Sequence, residues 1–136
     1  MGRVLAIDYG LKRIGIAVTD PLKIIAQPLT TVNAADIYPF LDQYFKTENV
    51  ECIVLGKPLH LDGKDTDATP LVNAFLLELE KRYPSIPVVL IDERLTSRMA
   101  KQSLIDAGYK KQQRQNKKLV DTVAAALILQ TYLERL

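Results

Sequence analysis

Acidic residues stand at three places in this chain where apolar segments end or pack. Asp8 closes the run Val4-Leu5-Ala6-Ile7, and Asp92-Glu93 closes Pro87-Val88-Val89-Leu90-Ile91. Asp121 heads a stripe shared with Ala124, Ala125, Ile128 and Tyr132 at helical i, i+3, i+4 spacing. Each has a bland reading: Asp8 as a turn residue ahead of Gly10, Asp121 as a favourable charge near a helix N-terminus. Brought together at a dry edge, however, three carboxylates repel one another unless a cation is present. Hard oxygen ligands at an open site suit Mg²⁺ or Mn²⁺. Two such ions about 3.5–4 Å apart activate a water and stabilise the leaving oxygen in phosphodiester hydrolysis. Cations accompany every one of these acids. Lys12 and Arg13 lie in the turn after Asp8, Lys57 follows the apolar run at Cys52-Gly56, and Arg94 follows Glu93. Five more, Lys110, Lys111, Arg114, Lys117 and Lys118, fall within nine residues that contain no acid. Without those five, thirteen Lys and Arg remain against sixteen acids, so the net +2 conceals a −3 body and a local basic segment. Such a segment points to a polyanion, and together with Lys12, Arg13, Lys57 and Arg94 it is expected to supply phosphate contacts around the metals.

The elements that must position these groups follow from patterning. Val4-Ile7 has no polar residue on either face, so it reads as a central strand covered on both sides. Ile14, Ile16 and Val18 alternate with Gly15, Ala17 and Thr19, giving a second strand with one bulky face and one that lets a neighbour approach closely. A third, less regular strand spans Ile24 to Val32, with Pro28 marking an edge. A helix carries Ile37, Phe40, Leu41, Tyr44 and Phe45, and Cys52-Gly56 is a fourth strand. Thr69 and Pro70 suit the cap and first position of a helix packing Leu71, Val72, Phe75, Leu76 and Leu79. Pro87-Ile91 is the fifth strand. Thr96 caps a helix through Ala107, and Asn116 caps a last one over 117–136. A meander followed by strand-helix-strand units predicts an α/β fold with a mixed five-stranded sheet, order 3-2-1-4-5, and helices on both faces. Strands 1, 4 and 5 are then parallel, and Asp8, Gly56 and Asp92-Glu93 emerge at the carboxyl edge, where ligands bind in open α/β sheets.

Apolar alternation does not choose between Asp92 and Glu93, because Val88 to Ile91 fill both faces. Reach favours Glu93: the fifth strand lies about two spacings, roughly 9–10 Å, from the first. The extra methylene of Glu shortens that gap, and Gly56 leaves room between the two carboxylates.

These motifs resemble a known family. Asp8-Tyr9-Gly10 with Lys12-Arg13-Ile14-Gly15, Gly56-Lys57-Pro58 with Gly63, Asp92-Glu93-Arg94-Leu95-Thr96-Ser97, and Lys118-Leu119-Val120-Asp121 with Ala124-Ala125 are similar, in order, to the motifs of the YqgF (RuvX) family. That family comprises Holliday-junction-resolvase-like proteins, also described as nucleases processing the 5′ end of pre-16S rRNA. The resemblance implies a ribonuclease H-like fold and a carboxylate metal site at Asp8, Glu93 and Asp121. It also implies a structured nucleic acid as partner, pre-rRNA ahead of branched DNA, and a place in ribosome biogenesis beside ribosomal assembly particles. Related resolvases carry an acid where this chain has Gly56-Lys57, and a second acid beside the position of Asp121.

Composition bounds the alternatives. At 136 residues and 48% hydrophobic, the chain fits one domain over 1–136 with a real core. No apolar run approaches the roughly 20 residues of a membrane span, so a cytoplasmic protein with no membrane partner is expected. Cys52, the only cysteine, reads as a small core residue, and the single His60 cannot form a metal cluster by itself. The competing classes are a binding or assembly factor with little catalysis, and an ATPase whose phosphate loop begins Asp-x-Gly. The ATPase normally needs two such domains.

Overall fold

A computed structural model describes residues 2–58, 64, 66–92, 102 and 117–135. Five strands form one sheet: β1 (Arg3–Asp8), β2 (Arg13–Thr19), β3 (Ala26–Asn33), β4 (Val50–Lys57) and β5 (Val88–Asp92). Their order is β3-β2-β1-β4-β5. β1 runs antiparallel to β2 and parallel to β4, β5 is parallel to β4, and β3 is antiparallel to β2. The expected order is therefore the observed one, and β1 is central, with Val4 to Ile7 all buried.

Strand alternation divides the sheet into two unlike faces. Leu5, Ile7, Ile14, Ile16, Val18, Ile53 and Leu55 point to one face, where α1 (Ile37–Thr47) and α2 (Thr69–Arg82) cover them with Ile37, Leu41, Val72, Phe75 and Leu79. Val4, Ala6, Ala17, Cys52, Val54 and Ile91 point to the other, under Ala125, Ile128 and Leu129 of α3 (Lys117–Leu133). Helices on both faces are thus present, and Cys52 is a buried core residue.

Three local expectations are corrected. The third strand begins at Ala26 rather than Ile24, because the Asp20 carboxylate accepts the N–H groups of Leu22, Ile24 and Ile25 at 3.2, 2.8 and 2.8 Å and draws them out of the ladder. Lys23, with φ 60°, makes the left-handed step in that loop. Thr69 is not the cap of α2. Ala68 occupies that position, while the buried Thr69 hydroxyl donates to the Pro58 carbonyl at 2.7 Å and accepts from the Thr66 N–H at 2.9 Å. It thereby ties the helix start to the chain leaving β4. Leu71 is exposed, since the packed stripe is Val72, Phe75 and Leu79 and Leu71 lies a helical step off it. The expected helix over 96–107, the Asn116 cap and the basic segment at 110–116 lie outside the described residues.

Candidate active site

Asp8 is the last residue of β1 and continues the Val4, Ala6 series, so by strand alternation it belongs to the α3 face. Across the ladder its partner is Gly15. A Cβ at Gly15 would collide with the backbone carbonyl oxygen of Asp121, so α3 begins by resting its backbone directly on β2. The small-residue face read from the sequence finds its reason here: only a glycine lets the helix carry Asp121 down to the strand opposite Asp8. Gly10, in the turn after Asp8, is similarly constrained by the carbonyl of Arg13.

Two polar contacts fix the first turns of α3. The Thr31 and Thr122 hydroxyls are 2.5 Å apart, joining β3 to the helix. Arg13 Nε donates to Asp121 Oδ2 at 3.0 Å, with both side chains about three-quarters buried. Neither contact was foreseen. Arg13 and Asp121 lie 108 positions apart, and no local pattern links them.

Of the remaining site candidates, Lys12 is exposed in the β1–β2 turn, with its carbonyl accepting the Ala34 N–H at 2.9 Å. Lys57 ends β4 and pairs in register with Asp92, one position beyond the Gly56–Ile91 pair. Val89 and Ile91 pack on the α3 face, whereas Val88 and Leu90 pack on the other, so Asp92 continues the series that faces away from α3. Gly56 continues Cys52 and Val54 on the α3 face and puts no side chain between β1 and β5. Lys117 and Lys118 fall in the first turn of α3. Glu93, Arg94, Lys110, Lys111 and Arg114 lie outside the described residues. Among the described residues no three acid, His or Cys side chains are grouped to hold a metal. The described donors at this edge, Asp8 and Asp121, are hard carboxylate oxygens of the type that Mg²⁺ and Mn²⁺ take.

A sequence model of the family described as "RuvX: Holliday junction resolvase" matches residues 2–135. The chain belongs to the RuvX family. Relatives within it include a protein of Christiangramia forsetii, 48% identical over 133 residues and covering 98% of each chain. Another, from Porphyromonas gingivalis, is 48% identical over 134 residues, covering 98% of this chain and 97% of the relative. Both carry the name "Putative pre-16S rRNA nuclease". Among solved structures, T. thermophilus RuvC in complex with Holliday junction substrate aligns with a TM-score of 0.57 at 16% identity, over 99% of this chain and 96% of that one. That likeness is one of fold, and it agrees with the ribonuclease H-like architecture expected of a RuvX chain.

Proposed function

We propose that this RuvX chain is a nuclease that hydrolyses phosphodiester bonds at the carboxyl edge of its sheet, using a Mg²⁺ or Mn²⁺ site held by Asp8, Glu93 and Asp121. The observation that carries the reading is the meeting of β1 and α3 at Gly15, which brings the backbones carrying Asp8 and Asp121 to one point. Glu93 is chosen over Asp92 on two grounds: Asp92 continues the Val88, Leu90 series that faces away from α3, and Glu has the longer reach. A bound Mg²⁺ or Mn²⁺ supplies an activated water and charge stabilisation at the leaving oxygen. The chain's own residues do the rest. Asp8 and Asp121 hold the ion from two rigid elements, Gly56 leaves space for a phosphate, and Lys12, Lys57, Arg94 and the cations at 110–118 bind the flanking backbone. Pre-16S rRNA is favoured as the substrate over four-way DNA because the relatives at 44–48% identity carry that name.

The test compares Asp8→Asn, Asp121→Asn, Glu93→Gln and Asp92→Asn on a pre-16S 5′ fragment and on a four-way DNA junction in Mn²⁺. The first three lose more activity than the roughly 10–100-fold typical of outer-shell partners, while Asp92→Asn stays near wild type. Wild-type cleavage by Asp8→Asn and Asp121→Asn would remove the site. A severe loss in Asp92→Asn with a normal Glu93→Gln would reverse that choice. Tight binding of the RNA with no cleavage by the wild type would leave an assembly factor.

A further inference from the structure

Arg13 begins β2 opposite Asn33 of β3, and its Nε donates to Asp121 Oδ2 at 3.0 Å. That carboxylate oxygen is one the proposed metal would use. A divalent ion about 2.1 Å from the same oxygen would face the guanidinium charge at short range, so the two cations compete. Arg13 is not needed to dock the helix: Gly15 against the Asp121 backbone and the Thr31–Thr122 hydroxyl pair hold the first turns of α3 independently. A guanidinium also fits phosphate as well as it fits carboxylate, and this one starts the strand that follows the turn after Asp8.

We propose that Arg13 is an exchangeable counter-ion. It neutralises and aims Asp121 before a metal arrives, then passes to a backbone phosphate of the nucleic acid when the metal takes the carboxylate. Metal and nucleic acid thereby favour each other's binding, by the same factor in both directions. Arg13 acts through Asp121 and is a positioning residue. The inference rests on the metal site proposed above.

Two measurements on the full chain test it without relying on turnover. In Mn²⁺ titrations by calorimetry with no nucleic acid, Arg13→Gln binds about twofold to fivefold more tightly than wild type, the range spanned by a modest ion pair. Asp8→Asn and Asp121→Asn bind far more weakly. An unchanged or weaker affinity in Arg13→Gln, with the two Asp variants impaired, overturns the exchange and leaves the metal site standing. Equal Mn²⁺ binding by wild type and both Asp variants overturns the site and the exchange with it. The second measurement is the salt dependence of binding to a short RNA duplex in EDTA. Asp121→Asn releases Arg13, so its slope steepens by about 0.9, one added phosphate contact. The double variant Arg13→Gln/Asp121→Asn loses that gain. A gain kept in the double variant reflects only the removed acid and sinks the proposal. Should Arg13→Gln fail to fold, Arg13→Met, which keeps the length of the side chain without its charge, replaces it in both measurements with the same outcomes, and an unsteepened slope in Asp121→Asn overturns the exchange by itself.

Discussion

The two faces of the sheet are built to opposite rules. Against α1 and α2 the sheet sets Leu5, Ile7, Ile14, Ile16, Ile53 and Leu55, every one fully buried. Each such side chain contributes about 1.5–3 kcal/mol by leaving water, so this face carries much of the stability. Against α3 it sets Val4, Ala6, Gly15, Ala17, Cys52, Val54, Gly56 and Ile91, and the helix answers with Ala125, Ile128 and Leu129. This face holds less apolar volume but controls distance. Where side chains are absent, helix and strand meet backbone to backbone, and the position of Asp121 is set by atoms that have no rotamers. A bulky interface tolerates repacking, whereas a backbone contact does not.

Breaking each face separately should show this division. Leu55→Ala opens a cavity in the bulky layer and costs about 2–5 kcal/mol, read by denaturant or thermal unfolding. The fraction that remains folded should still bind Mn²⁺ with wild-type affinity. Gly15→Ala is expected to cost at least about 1–3 kcal/mol, the scale of an overpacked contact or beyond, because its Cβ would press on the backbone carbonyl of Asp121 and force β2 and α3 apart. It should also lower Mn²⁺ affinity by tenfold or more, on the scale of the 10–100-fold losses seen when ligands are poorly held. Loss of metal binding in Leu55→Ala at temperatures where it is fully folded, or retention in Gly15→Ala, would show that the faces do not divide the work this way.

Much of this asymmetry was legible in the sequence because strand alternation is a local signal. Gly15, Ala17 and Thr19 facing one way and Ile14, Ile16 and Val18 the other could be read from seven residues, and the all-apolar β1 and β4 fixed the sheet order through the crossover rule. Asp121 could be placed at the end of a packing stripe from helical periodicity. What could not be read depends on contacts between distant segments. Arg13 looked like a phosphate ligand because it shares a turn with Lys12, and only tertiary packing turns it towards Asp121. Thr31 and Thr122 carry no mark of their pairing. The Ile24-Ile25 pair looked like strand, and lost that state to the two hydrogen bonds its N–H groups donate to the Asp20 carboxylate, which β-propensity does not register.

The smallest expected effect offers the finest comparison, because the chain's single cysteine lies on the lean face. Cys52 is buried under α3, with its Sγ 3.9 Å from the Tyr132 hydroxyl, and that burial pushes its thiol pKa above the ordinary value. The native thiol is therefore neutral at pH 7 and shielded, and should react with a thiol reagent only when α3 lifts or the whole chain unfolds. Two observations separate these routes. If labelling passes through an open state, its rate against pH follows an ordinary thiol of about 8.5 rather than the raised native value. If that opening is the lifting of α3, Gly15→Ala speeds labelling in dilute denaturant more than its loss of global stability accounts for. Leu55→Ala should speed it only as far as global unfolding rises, because its cavity lies on the far side of the sheet. Equal acceleration at equal stability in the two variants would mean that α3 leaves the sheet only when the whole structure does, and that the lean face has no separate opening.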